Sequence, residues 1–296
     1  MLKTVVTTLL LLLSLTTNST SYLIQNPEDN IIKIETGLVV INATVTDNNG
    51  RFVANLKAND FLLTEDGQSR QIAHFSAEET PFAAAILIDA SSSMRNKLSR
   101  AKVAAAQFME NMRPSDSTAV YGFNYKVYNL QEFTNVKDIS PDIWEIESDG
   151  TTSLYDAMYK SLEDLNKRSE IRRAVIIISD GGDSSSKHTE KQALELAAKS
   201  STSIYTIDIT DLEDSRDSSK MIASGLLKNF AEKTGGQYIK TQGGKQLTEK
   251  LLEVSKELRS QYTLTFYPEK PQKGKNHKLA LKVNRPNIQV RSRQSY

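Results

Sequence analysis

Two short, unbroken apolar runs constrain this fold more than any other feature of the sequence: residues 83–88 (Ala-Ala-Ala-Ile-Leu-Ile) and 174–178 (Ala-Val-Ile-Ile-Ile). Apolar runs of this length, bounded by polar residues, are read as strands buried on both faces. Helical stripes follow them: Leu98, Ala101, Ala105, Phe108 and Met112, then Leu154, Ala157, Met158, Leu162 and Leu165. Further strands over 118–124, 202–207 and 237–239 alternate with helices over 190–200, 220–233 and 245–258. This alternation predicts an α/β fold with a doubly wound, mostly parallel sheet and helices on both faces.

Both apolar runs end in oxygen. The first is followed by Asp89-Ala-Ser91-Ser-Ser93 and the second by Ser179-Asp180-Gly-Gly, while Gly150-Thr151-Thr152-Ser opens the helix between them. Open α/β sheets bind their ligands at the carboxyl ends of strands. Singly, each segment is an ordinary cap or turn. Together they offer carboxylates and hydroxyls and no soft ligand, a set that suits a hard divalent cation. Neutral hydroxyls leave much of the ion's charge uncancelled, so it is expected to stay electrophilic toward an external oxygen. Two carboxylates about 6 Å apart repel by roughly 3 kcal/mol at an effective dielectric near 20, which makes a bound cation an expected stabiliser of the fold.

These motifs resemble the metal-ion-dependent adhesion site (MIDAS) of von Willebrand factor A domains, with Asp89, Ser91, Ser93, Thr152 and Asp180 at the matching positions. Over roughly residues 35–296, the segments around Asp60-Phe61, Glu65-Asp66-Gly67, Thr234-Gly235-Gly236 and Gln261-Tyr262 resemble the secreted bacterial VWFA-related family. The resemblance implies a Rossmann-like fold, a magnesium ion (or manganese or calcium), Ser ligands bound directly, Asp ligands acting partly through water, and a partner's acidic residue completing the shell. Thr151 stands where such domains usually carry a second Gly, which leaves either Thr151 or Thr152 to face the ion.

The ends of the chain set the context. Lys3, an apolar stretch over 5–15 and small polar residues up to Ser21 describe a secretory signal peptide over 1–21, too short for a membrane span of roughly 20 residues. A secreted or periplasmic protein with no span in its mature form is expected. A flexible segment over 22–34 precedes period-two strands from Gly37 onward and a β segment over 35–80, with further strands at Phe52-Val53, 61–63 and 72–75. Thr80-Pro81 is the junction to the α/β domain over 82–258, and strands return over 259–296; the two terminal segments are expected to build one small β module. No cysteine is present, which excludes disulfides and thiolate chemistry.

A formal charge of +1, from 37 basic and 36 acidic residues, gives no basis for a nucleic-acid partner. The charge is uneven, however: from Lys256 onward, basic residues such as Arg259, Lys273, Arg285 and Arg291 face only Glu257 and Glu269. That tail is either a solvated basic surface or a contact for an anionic envelope component. Nucleophile-elbow, zinc-protease and P-loop patterns are absent from the sequence. The leading reading is a non-enzymatic, cation-dependent adhesion or assembly module whose partner protein supplies an acidic residue. An enzyme, for example a metal-assisted hydrolase or a Ser nucleophile with His188, and an envelope protein that needs no metal are the alternatives.

Overall fold

The computed structural model describes residues 37–211, 213, 217–269 and 276–296. The signal-peptide and flexible-segment expectations fall outside the described residues. Among the described residues no helix is long and apolar enough to cross a membrane.

The apolar runs form strands β5 (Phe82–Asp89) and β8 (Arg172–Ser179) at the centre of a six-stranded sheet. With β6 (Ser117–Phe123), β7 (Val127–Thr134), β9 (Thr202–Asp208) and β10 (Tyr238–Lys240), the order is β10-β9-β8-β5-β6-β7. All pairings are parallel except β6 with β7. Side chains alternate across β5. Phe82, Ala84, Ile86 and Ile88 pack toward α1 (Leu98–Glu110) and α6 (Lys245–Ser260), whereas Ala83, Ala85 and Leu87 pack toward α3 (Leu154–Asn166), α4 (Glu190–Lys199) and α5 (Ser218–Thr234). Covering both faces is what makes a parallel strand read as a continuous apolar run. The direction of winding reverses between β5 and β8, so their carboxyl ends flank the topological switch point.

Both ends of the described chain build the remaining sheets. One has the order β13-β1-β11-β4, from β13 (Ile288–Ser292), β1 (Val39–Asp47), β11 (Tyr262–Phe266) and β4 (His74–Ser76). The other pairs β12 (Leu279–Val283) with β2 (Phe61–Glu65) and β3 (Gln68–Arg70). Ile41, Phe61, Tyr262 and Phe266 lie in their shared core. Residues 37–296 form one compact unit. The α5 helix ends at Gly235, whose φ of +81° and close approach to the backbone of Ser292 leave no room for a Cβ atom.

Several local expectations needed revision. Residues Phe52-Val53 form no strand; Phe52 makes one isolated bridge to Thr46. The period-two pattern of β1 predicts one wet face, yet Asn42 and Thr44 are buried, because Asn42 donates to the Ile171 carbonyl and Thr44 to Glu257. The edge strand β7 and the short helix α2 (Asp142–Glu145) were not anticipated from the sequence.

Candidate functional site

Three loops meet beyond the carboxyl ends of β5 and β8, joined by their backbones. Ser92 N–H donates to the Gly150 carbonyl (3.1 Å) and Asp149 N–H to the Ala90 carbonyl (2.9 Å). The Thr152 carbonyl accepts from the N–H groups of both Ser184 and Ser185, at 2.9 and 3.0 Å. A turn over Ser92–Met94 carries the hydroxyls, anchored by the fully buried Met94. Gly150 is held at φ +67°, and a Cβ there would lie 2.7 Å from the Tyr125 ring.

Four of the five expected site residues form one hydrogen-bonded cluster. Asp89 accepts from Ser91 N–H (2.8 Å) and from Ser179 Oγ (2.5 Å); Ser91 and Ser93 share a hydrogen bond between their hydroxyls (3.2 Å); and Ser93 Oγ donates to Asp180 Oδ1 (2.7 Å). Thr152 is not part of that network: its N–H donates to Ser184 Oγ (3.0 Å) and its carbonyl accepts from Ser184 and Ser185, on the loop that follows Asp180. It is buried, and among the described residues its hydroxyl makes no hydrogen bond; the neighbouring Thr151 is exposed, with its hydroxyl on Ser185 (2.9 Å).

The two carboxylates sit in opposite electrostatic states. Asp89 has no exposure and, among the described residues, no ion pair; burial pushes its carboxyl up to about 6, and Asp180 adds to the rise against the bonds from Ser179 and Ser91. Asp180 is met by two ammonium groups. Lys97 Nζ lies 2.6 Å from its Oδ2, and Lys220 Nζ lies 3.3 Å from its Oδ1 while donating to its carbonyl at 2.8 Å. Burial pushes Asp180 up, but the bonds from Lys97 and Ser93 and the lysine charges outweigh it and hold the carboxyl below its usual range. Burial would lower Lys97 in turn, yet Asp180 and Asp211, the latter 3.1 Å away, raise it.

This corrects the expected mutual repulsion of two bare carboxylates: the lysines already screen one of them. Neither lysine was anticipated from the sequence, although both carry a signal. Lys97 occupies the N-cap of α1 and Lys220 the first turn of α5, positions where the helix dipole disfavours a cation. A lysine at such a position calls for an acidic neighbour.

Other carboxylates and the basic tail are taken up in structural bonds. Asp183 accepts from Tyr155 N–H at the start of α3 and from Ser186. Asp156 accepts from the N–H groups of Lys187 and His188 and from the His188 ring (2.7 Å), which stacks on Tyr159. Asp208 accepts from Thr210 N–H, Ser224 and Tyr238. In the basic tail, Arg259 pairs with Asp116, Arg291 with Glu257 and Arg285 with Asp60, so these arginines are internal ties; Lys270, Lys273 and Lys275 lie outside the described residues.

A doubly wound α/β domain with an oxygen-rich cluster at its switch point defines the class. Within it, residues 84–182 match the family model of the von Willebrand factor type A domain. No curated protein matches the sequence. Among solved structures, a von Willebrand factor type A protein from Catenulispora acidiphila is similar at a TM-score of 0.50 and 12% identity, over 84% of this chain and 71% of that one. A point mutant of the PilB minor pilin from Streptococcus sanguinis is similar at 0.50 and 11% identity, over 62% of this chain and 63% of that one, so less than two thirds of the pilin is spanned. At these identities the likeness is one of fold.

Proposed function

We propose that this chain is an exported, non-enzymatic protein-binding module whose contact face is the strand-end cluster. In this reading a divalent cation, magnesium or else manganese or calcium, is held by Asp89, Ser91, Ser93, Thr152 and Asp180. The observation that carries the reading is Asp89, a fully buried carboxylate at the switch point that accepts from a hydroxyl and an N–H and, among the described residues, meets no cation. A buried charge left uncompensated is unfavourable, and a cation beside it removes that penalty. The donor set fits a hard ion: every candidate ligand atom is oxygen, and the Thr152 hydroxyl has no other hydrogen bond among the described residues. Among those residues no cluster of three or more His, Cys, Asp or Glu side chains has metal-holding geometry, so hydroxyls have to supply much of the shell.

When bound, the ion would offer a carboxylate oxygen of a partner protein an electrophilic position. The rim suits such a contact, since Met221 and the 75% exposed Ile222 directly follow Lys220. The pilin's sharing of the fold supports a role outside the cytoplasm, as does the apolar N-terminal stretch. The hydrolase alternative gains nothing from the geometry: the His188 ring bonds Asp156, and the Ser91 and Ser93 hydroxyls are engaged with each other and with Asp180.

Two measurements test the reading. Manganese should raise the unfolding temperature of the native chain, and Asp89→Ala should abolish the rise. A partner captured from envelope extract should be released by chelator. Melting curves that coincide with and without the ion would overturn the metal-dependent reading and leave the metal-independent envelope protein in its place.

A further inference from the structure

We infer that Lys97 is a tethered ammonium that competes with a divalent ion for Asp180 and must transfer to Asp211 before the ion can settle. The inference rests on the cation-binding reading above and adds to it a residue that sets how tightly, and with what rearrangement, the ion binds.

Lys97 is buried, and its ammonium bridges two carboxylates: Asp180 Oδ2 at 2.6 Å and Asp211 Oδ2 at 3.1 Å. The two acceptors differ in setting, since the Asp180 side chain is 1% exposed and that of Asp211 55%. One position is therefore inside the cluster and the other at its rim, within reach of a flexible four-carbon stem. Lys220 stays on the Asp180 carbonyl, so among the described residues Asp180 carries two ammonium neighbours while Asp89 carries none. A divalent ion placed among Ser91, Ser93 and Asp180 would sit beside the Lys97 ammonium, which lies 2.6 Å from Asp180 Oδ2, and the two like charges would repel. Moving Lys97 to the rim relieves that repulsion and frees an Asp180 oxygen without exposing an unpaired ammonium.

The test is manganese binding by calorimetry to the purified full chain and to Lys97→Met, Asp211→Asn and the double variant. Lys97→Met should bind roughly tenfold tighter or better, since no charge has to be moved, and Asp211→Asn several-fold weaker. In the Lys97→Met background, Asp211→Asn should have no further effect, a coupling that a merely structural role for either residue would not produce. If Lys97→Met binds manganese no tighter than the native chain, or if the Asp211→Asn effect persists in the double variant, the inference fails while the cation site stands. If none of the four chains binds manganese, both fail. A readout on the unmutated chain decides the matter should the variants not fold: Lys97 should be protected from reductive methylation in chelator and reactive in manganese, and unchanged protection with manganese bound would overturn the transfer.

Discussion

The two ends of the central sheet bury charge in opposite ways. At the amino ends of β5 and β8, Arg172 is fully buried and donates to the carbonyls of Leu258, Arg259, Gln261 and Glu78, tying the end of α6 and the strand β11 to the sheet. Beside it Arg259 grips Asp116 at 2.6 Å, and Glu257 accepts from Thr44, Tyr205 and Arg291. Each buried charge there has fixed partners drawn from several elements. At the carboxyl ends the matching fails in both directions: among the described residues one carboxylate meets no cation and the other meets two. Well-matched buried charge locks packing, whereas mismatched buried charge is available to a ligand.

The base should respond to mutation far more than the rim. Arg172→Met strips donors from four carbonyls, three of them buried, and should lower stability by about 3 kcal/mol or more in urea unfolding, with manganese affinity unchanged in whatever remains folded. A loss below about 1 kcal/mol would break the contrast between the two ends.

Gly150→Ala places a Cβ against Tyr125 at a left-handed backbone position and should cost about 1 to 2 kcal/mol. Adding Tyr125→Ala should recover the steric part of that loss and leave the backbone part.

Asp89→Asn in chelator should change stability by less than about 1 kcal/mol, because it removes an unmatched charge and keeps the shape. The same variant should lose the manganese-dependent rise in Tm. A large loss in chelator would mean that Asp89 is locked in like the charges at the base.

The smallest effect concerns pH. Burial raises Asp208, but hydrogen bonds from Ser224, Thr210 and Tyr238 outweigh it and hold the carboxyl below its usual range. The folded chain thus binds this proton less readily than the unfolded chain, so the contribution is complete above the unfolded value and fades as pH falls through the folded one. Asp208→Asn should be less stable than the native chain at about pH 7, with the gap closing as pH falls through the lowered folded value. A gap that does not depend on pH would remove the charge from the explanation.

The sheet and the oxygen cluster were legible because each rests on local sequence. β5 and β8 are apolar throughout, and their terminal residues are placed wherever the strands stop. What escaped prediction depends on distant partners. β7 has an irregular pattern of half-buried residues and pairs with β6 through shifts of register near Val120, so neither period shows. Arg172 looks like the solvated start of a strand until α6 and Gln261 close over it. Lys97 and Lys220 are separated by 123 positions in sequence and converge on a third segment, a geometry no spacing encodes. The hydroxyl set could be drawn up from sequence, but the charge state of the cluster could not.

The backbone bonds that join the three loops give the site a shared fate in hydrogen exchange. Ser92, Asp149, Ser184 and Ser185 all place their amides on carbonyls of a different loop. Opening one of these contacts loosens the next, so the four amides should exchange through one cooperative event with a common free energy. A partner that touches only the Thr152 loop would then slow exchange at Asp149 and Ser92, and the whole rim would register a contact made at any part of it.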